Sequence, residues 1–381
     1  VLLINILIFV GGLVLLIKGA DLFVVSSSLI AKKFGVSEFI IGLTLVSVGT
    51  SVPELASALT ASFQQASGII IGNILGSNIA NIGLIASTAA LLSHVRTEEL
   101  MLRRDGYIML FSSFLLFLFL LDFKISRVEA LIFLLLYLAY LLFLFEKVKK
   151  HEEDMYFKDF LSYFFRFEYI FDLKARIETG VRKSRKANRV PEAVKTSSEE
   201  AEEKIEKEME IRKELENEEI DVDIEAENLS KSNLLIEFFK LIASGVAIIL
   251  GAKYFVEQAI FFALLLEVPE TLIGLSLVAV GTSVPELLVT ISAARSGYGS
   301  IALGNVIGSN ITNILLILGC SGLVHPLTIT GLSVYYIAPF MLIISALFLL
   351  FIRTGWRIKR IEGLILLLLY SGFIITIFRL G

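Results

Sequence analysis

The amino-acid sequence predicts an all-α polytopic membrane protein of about ten transmembrane helices, arranged as two inverted five-helix repeats. Three observations carry that expectation. Apolar runs of spanning length fill most of the chain, a single charged insert interrupts them, and one stretch of sequence occurs twice at a constant spacing. Of the 381 residues 56% are hydrophobic and only 19% charged, whereas soluble domains carry about a quarter charged residues. Between Lys147 and Asn233 lie 18 basic and 23 acidic residues, more than half of all the charge, so the remainder is far more apolar than the average.

A spanning helix needs roughly 20 mostly apolar residues. Runs that satisfy this fall at about 2–28, 38–62, 69–92, 105–122 and 127–146, and again at 234–262, 269–295, 300–323, 332–352 and 361–379. Three parts follow: a first membrane repeat over 1–146, a charged loop over 147–233 and a second membrane repeat over 234–381. The first run is longer than a signal peptide and lacks a basic leader, so it is expected to be a retained span. With the N-terminus outside, ten basic residues of the short loops fall inside, among them Lys32, Arg96, Arg103, Arg104 and Arg357. Only Lys124, Arg127 and Arg379 then fall outside. Positive residues concentrate on the cytoplasmic side, so both termini are expected outside a cell membrane and the loop in the cytoplasm.

The repeat is explicit. Residues 42–60 read GLTLVSVGTSVPELASALT and residues 274–292 read GLSLVAVGTSVPELLVTIS, with 12 of 19 positions identical at an offset of 232. The same offset aligns GNILGSNIAN (72–81) with GNVIGSNITN (304–313). Five spans per half is an odd number, so the second half enters from the opposite side. Inverted repeats are a recurring transporter architecture with sites near the midplane.

Within each repeat the residues point to a cation site. Pro53 has no N–H, so the Gly49 carbonyl loses its helical partner and the carbonyls near Ser47 and Thr50 are expected to loosen. In a bilayer such carbonyls require a donor or a cation. Thr50 and Ser51 precede Glu54 by four and three residues and share its helix face; Thr282, Ser283 and Glu286 repeat the set. Asn73, Ser77 and Asn81, spaced by four, add a stripe of neutral oxygens, matched by Asn305, Ser309 and Asn313. Two carboxylates among hydroxyls, amides and carbonyls suit hard cations such as Ca²⁺ and Na⁺. His94, His151 and His325 sit at the ends of the expected helices, away from this set. Asp21 and Lys253, matched in the first helices of the two halves, are expected to be interfacial anchors or packing charges.

The doubled GTSVPE and GNxxGSN segments resemble the two alpha repeats of the cation/Ca²⁺ exchanger superfamily, in particular its Na⁺/Ca²⁺ exchanger branch. The resemblance covers both halves and excludes the insert. It implies that Glu54 and Glu286 are central Ca²⁺ ligands, aided by the backbone carbonyls of Thr50 and Thr282. It further implies Na⁺ sites at Ser51, Ser77, Ser283 and Ser309, with the carbonyls of Ser47 and Ala279. Asparagine at both Asn81 and Asn313 is the pattern of K⁺-independent members, and the GSN segment differs from that of H⁺/Ca²⁺ antiporters. The resemblance implies Na⁺/Ca²⁺ antiport in which the first helix of each half slides across a fixed core.

Other classes have less support. The inverted repeat and proline-broken helices argue against a passive cation channel, and the spans hold no nucleophile–base pair for an enzyme. No P-loop of the form GxxxxGK[ST] occurs, so ATP-driven pumping is not expected. No cofactor or nucleic-acid partner is expected; the bilayer and the transported Ca²⁺ and Na⁺ are the expected partners, and the oligomeric state stays open. The lone Cys320 forbids an intrachain disulfide. In the insert, the aromatic segment 154–173 is expected to be an amphipathic helix at the inner leaflet. The basic stretch 180–196 and the acidic stretch 199–228 read as solvated helix or disorder.

Overall fold

The computed structural model describes residues 2–34, 38–93, 95–96, 99–150, 157–166, 234–265 and 282–380. The stretches 180–196 and 199–228, and the first part of the expected span 269–295, lie outside the described residues. The elements of the first half are α1 (Leu2–Phe34), α2 (Phe39–Thr50), α3 (Val52–Phe63), α4 (Ser67–Leu92), β1 (Val95–Arg96), α5 (Tyr107–Leu120), β2 (Lys124–Ile125) and α6 (Arg127–Lys150). A loop helix, α7 (Phe157–Phe165), follows. The second half contains α8 (Leu234–Leu265), α9 (Val284–Arg295), α10 (Gly299–Val324), β3 (Leu327–Thr328), α11 (Ser333–Arg353), β4 (Arg357–Ile358) and α12 (Arg360–Leu380).

Among the described residues seven helices are long and apolar enough to cross a membrane, or eight if α2 and α3, bent by 46°, form one span. Two expected spans are outside that number. One is 269–295, of which 282–295 are described. The other is 105–122, where α5 has 14 residues and follows a π-helical turn over Leu102–Gly106. Arg104 and Asp105 in that turn are buried, contrary to the reading of Arg104 as a short-loop charge. The Arg104 guanidinium donates to both Asp105 oxygens at 2.7–2.9 Å, and the Tyr140 hydroxyl of α6 donates to Oδ1 at 3.2 Å. A charge removed from water needs such a partner.

The two halves are antiparallel images. α1 and α8 pack along a seam in which Gly12 meets Gly251 and Phe255, while Gly19 meets Ser244 and Ile248, so one helix runs up as the other runs down. A Cβ on Gly12 would lie 2.9 Å from the Phe255 nitrogen, and one on Gly251 would lie 2.8 Å from the Leu16 nitrogen. Small residues let membrane helices approach this closely. The short strands follow the same symmetry: β1 pairs with β4 and β2 with β3, each pair joining one half to the other. Phe123 and Trp356, just before β2 and β4, both take positive φ, at 63° and 53°.

At the core, α10 is buried through almost its whole length and lies across α2. A Cβ on Gly308 would strike the Leu43 carbonyl and the Ser47 side chain, so glycine is what permits the crossing. The loop helix α7 packs on the membrane body with Phe160 against Tyr140 and Phe143, Tyr163 against Phe143, and Phe157 against Tyr107 and Phe111. The part of the expected helix beyond residue 166 lies outside the described residues.

Candidate cation-binding site

The site is made where the TSVPE segment of each half meets the GSN helix of the other. α2 ends at Thr50, Ser51 stands between the segments with φ −85° and ψ 8°, and α3 begins at Val52 with proline in its first turn. The last bond of the first segment runs from the Ser51 N–H to the Ser47 carbonyl, 3.1 Å, and the first of the next from Leu55 to Ser51, 3.0 Å. The carbonyls of Val48, Gly49 and Thr50 fall between these two series. The Ser47 carbonyl is therefore less free than Pro53 alone suggested, since it also accepts from the Thr50 hydroxyl at 3.3 Å. Ser283, with φ −92° and ψ 7°, precedes α9 as Ser51 precedes α3, again with proline in the first turn. Ala279, the match of Ser47, lies outside the described residues.

Glu54 and Glu286 are each 2% exposed, in the first turns of α3 and α9. Placing both in the first turn of a helix sets each carboxylate at a positive dipole end. The polar groups around them cross between halves. Ser51 donates to Glu286 Oε1 at 3.0 Å and lies 3.4 Å from Ser309, while Ser283 lies 3.3 Å from Ser77. Thr50 donates to Asn305 Oδ1 and Thr282 to Asn73 Oδ1, both at 3.3 Å. Ser51–Ser309 and Ser283–Ser77 are mirrors at the offset of 232, as are Thr50–Asn305 and Thr282–Asn73.

The asparagines decide what the site can hold. Asn81 Nδ2 donates to Asn310 Oδ1 at 3.1 Å, and Asn313 Nδ2 donates to Asn78 Oδ1 at 3.0 Å. With their N–H groups engaged, Asn81 and Asn313 are left with buried Oδ1 atoms that accept nothing, as are Oε2 of Glu54 and Oε2 of Glu286. A buried acceptor without a partner costs about 1–3 kcal/mol, more if charged. Four such oxygens in two mirrored sets, beside hydroxyls, form a place that a cation with oxygen ligands would complete. Asn81 and Asn313 also each begin a π-helical turn, over Asn81–Ala86 and Asn313–Leu318. Such turns re-aim side chains and recur at functional positions.

The structure thus buries Glu54, Glu286, Thr50, Ser51, Ser283, Ser77, Ser309, Asn81 and Asn313, with Thr282 half-buried, on the helices where the two halves cross, and sets the Ser47 side chain against Gly308 of α10. Sequence reasoning passed over Asn78, Asn310 and Thr290. Asn305 donates to the Thr290 hydroxyl at 2.9 Å and to the Glu286 carbonyl at 3.3 Å. The signal was present in the third residue of each GSN segment, which stands off the i, i+4 stripe of Asn73, Ser77 and Asn81.

Comparison with known proteins is consistent with this architecture. A family model described as sodium/calcium exchanger protein matches residues 4–146 and 236–379, both membrane halves without the insert. The sodium/calcium exchanger MaX1 of Methanosarcina acetivorans is 50% identical over 375 residues, covering 98% of this chain and 99% of the relative. The sodium/potassium/calcium exchanger 5 of Homo sapiens is 34% identical over 116 residues, 28% of this chain and 23% of that protein. A solved structure of the sodium-calcium exchanger NCX_Mj, soaked with zero Na⁺ and Ca²⁺, superposes with a TM-score of 0.71 at 27% identity. The match covers 99% of this chain and 100% of that one. On its two matched halves and its full-length relatives, this chain belongs to the sodium/calcium exchanger family.

Proposed function

We propose that this protein is a secondary active antiporter that exchanges Na⁺ for Ca²⁺ across the membrane by alternating access, independently of K⁺. The observation that carries the reading is the mirrored set of unpartnered buried oxygens on Glu54, Glu286, Asn81 and Asn313. Full-length similarity to a sodium/calcium exchanger supports the choice of ions. In this reading Glu54 and Glu286 ligate Ca²⁺ with the carbonyls of Thr50 and Thr282. Ser51, Ser77, Ser283 and Ser309, with the carbonyls of Ser47 and Ala279, hold Na⁺.

Coupling follows from charge. Two ionised carboxylates give the empty site a charge near −2, and carrying it bare through an apolar barrier is costly. One Ca²⁺, or two or more Na⁺, neutralises it, so the barrier is passed only when the site is full. Exchange rather than leak results, driven by the Na⁺ gradient. Asn81 and Asn313 supply neutral oxygens where a carboxylate would add a further charge, which supports K⁺ independence. The positive residues of the short loops support an orientation with both termini outside and residues 147–233 in the cytoplasm.

The test is ⁴⁵Ca²⁺ uptake into proteoliposomes loaded with Na⁺, with K⁺, or with a proton gradient. Uptake that needs outward Na⁺, persists without K⁺ and vanishes in Glu54→Ala is expected. Uptake that follows the pH gradient or requires K⁺ would overturn the choice of coupling ion.

A further inference from the structure

The two halves match at the centre and differ where α1 and α8 meet the core. On α1, Asp21 accepts a hydrogen bond of 2.6 Å from Ser292 of α9. Ser292 is buried and stands six residues beyond Glu286 on the same helix, about 9 Å along the axis at 1.5 Å per residue. The bond therefore ties α1 to the helix that carries one of the two site carboxylates. It lies toward the end of α1 that runs beside the start of α8, so it belongs to the membrane face from which the loop 147–233 projects.

The mirror positions make no such tie. At the offset of 232, Lys253 of α8 replaces Asp21 and Thr60 of α3 replaces Ser292. Lys253 lies 4.0 Å from Glu257 of its own helix, and Thr60 donates to the Ala56 carbonyl of its own helix at 2.8 Å. α1 also packs closely along α9, which the mirrored pair of α8 and α3 does not reproduce. Beside the bond is a crevice of about 380 Å³ lined by Asp21, Ser292 and Arg295 among others. Asp21 and Arg295 share this crevice. Polar charged groups inside a membrane protein face such cavities rather than lipid.

We propose that Asp21 is a positioning residue whose bond to Ser292 fastens the loop-face passage to the cation site, biasing the exchanger toward the state open at the opposite face. The proposal rests on the alternating-access reading. A hydrogen bond to a carboxylate that exists in one state and is broken in the other shifts their ratio by about tenfold or more. Affinity measured at a face falls in proportion to the fraction of molecules open there.

The experiment measures the Ca²⁺ KM at each face separately, in proteoliposomes sorted to one orientation, for the full chain. Ser292→Ala is expected to lower KM at the loop face and raise it at the opposite face, with the ratio of the two changing about tenfold. Asp21→Asn, which keeps an acceptor oxygen but loses the charge, should move both in the same senses by less. The double variant should add nothing to Ser292→Ala, and the mirror variant Thr60→Ala should leave both values unchanged. Equal KM changes at both faces, no change in Ser292→Ala, or an equal effect of Thr60→Ala would overturn the proposal. Absence of Na⁺-driven uptake in the parent protein would instead sink the exchange reading.

Discussion

The two halves of this protein agree most at the candidate cation site and least away from it. Ser51 with Ser309 and Ser283 with Ser77, Thr50 with Asn305 and Thr282 with Asn73, Asn81 with Asn310 and Asn313 with Asn78 are all mirrored to within 0.1 Å in donor–acceptor distance. Away from that centre the first half has the Arg104–Asp105–Tyr140 network and the docked helix α7, and the corresponding positions 336 and 337 of the second half are Tyr336 and Ile337. On the proposed alternating access, a site that presents itself to both faces needs two-fold chemistry. The surroundings, which meet different solutions and different loops, carry no such requirement.

The largest expected effect tests the symmetric centre. Glu54→Ala and Glu286→Ala should each reduce Na⁺-driven ⁴⁵Ca²⁺ uptake to background, because either loss leaves a single carboxylate for a divalent ion. Normal exchange in one of the two would break the equivalence of the halves. Next is the asymmetric network. Arg104→Met leaves Asp105 buried without its counter-charge and should cost about 3–5 kcal/mol, seen as a lower unfolding midpoint in detergent. Adding Asp105→Leu should restore most of the loss, whereas Tyr336→Phe, at the matching position of the other half, should leave the midpoint nearly unchanged.

Packing at the centre comes third. Gly308→Ala must push α10 away from the Leu43 carbonyl and should destabilise by about 1–3 kcal/mol, with a parallel loss of uptake. A wild-type midpoint for this variant would mean the helices have room that the structure does not show. The smallest effect is at the amides. Asn81→Ala and Asn313→Ala each remove one oxygen from the site and one hydrogen bond between halves, about 0.5–1.5 kcal/mol. The expected readout is a threefold to tenfold higher Na⁺ requirement for uptake, alike for both variants. Unequal shifts would sharpen the comparison by showing which half contributes more to monovalent binding.

Much of this was legible in the sequence, for identifiable reasons. Spans are read from apolar length, because lipid tolerates little else, and the repeat is read by alignment to itself. Glu54 and Glu286 stand out because a carboxylate behind Thr-Ser-Val-Pro in an apolar run has few structural uses. The pairings between halves were not legible. Asn78 and Asn81 belong to one helix, and only the fold shows that each meets an asparagine more than two hundred residues away. Arg104 read as a loop charge because burial of its ion pair with Asp105 depends on Tyr140 and the helices around it. The apparent freedom of the Ser47 carbonyl came from reasoning about Pro53 alone. The structure puts the break at Ser51, one turn later than the bond that Ser47 keeps.

The short strands have a consequence for how the chain is made. β1 at Val95 has its partner β4 at Ile358, and β2 at Ile125 has β3 at Leu327. At synthesis rates of about 5–20 residues per second, β1 waits roughly 13–53 s for its partner to be translated. During that interval the first half holds unpaired strand edges at both membrane faces, and the amides of Asn78 and Asn81 have no counterpart. The nascent first half is thus an unfinished assembly that only the last third of the polypeptide can complete.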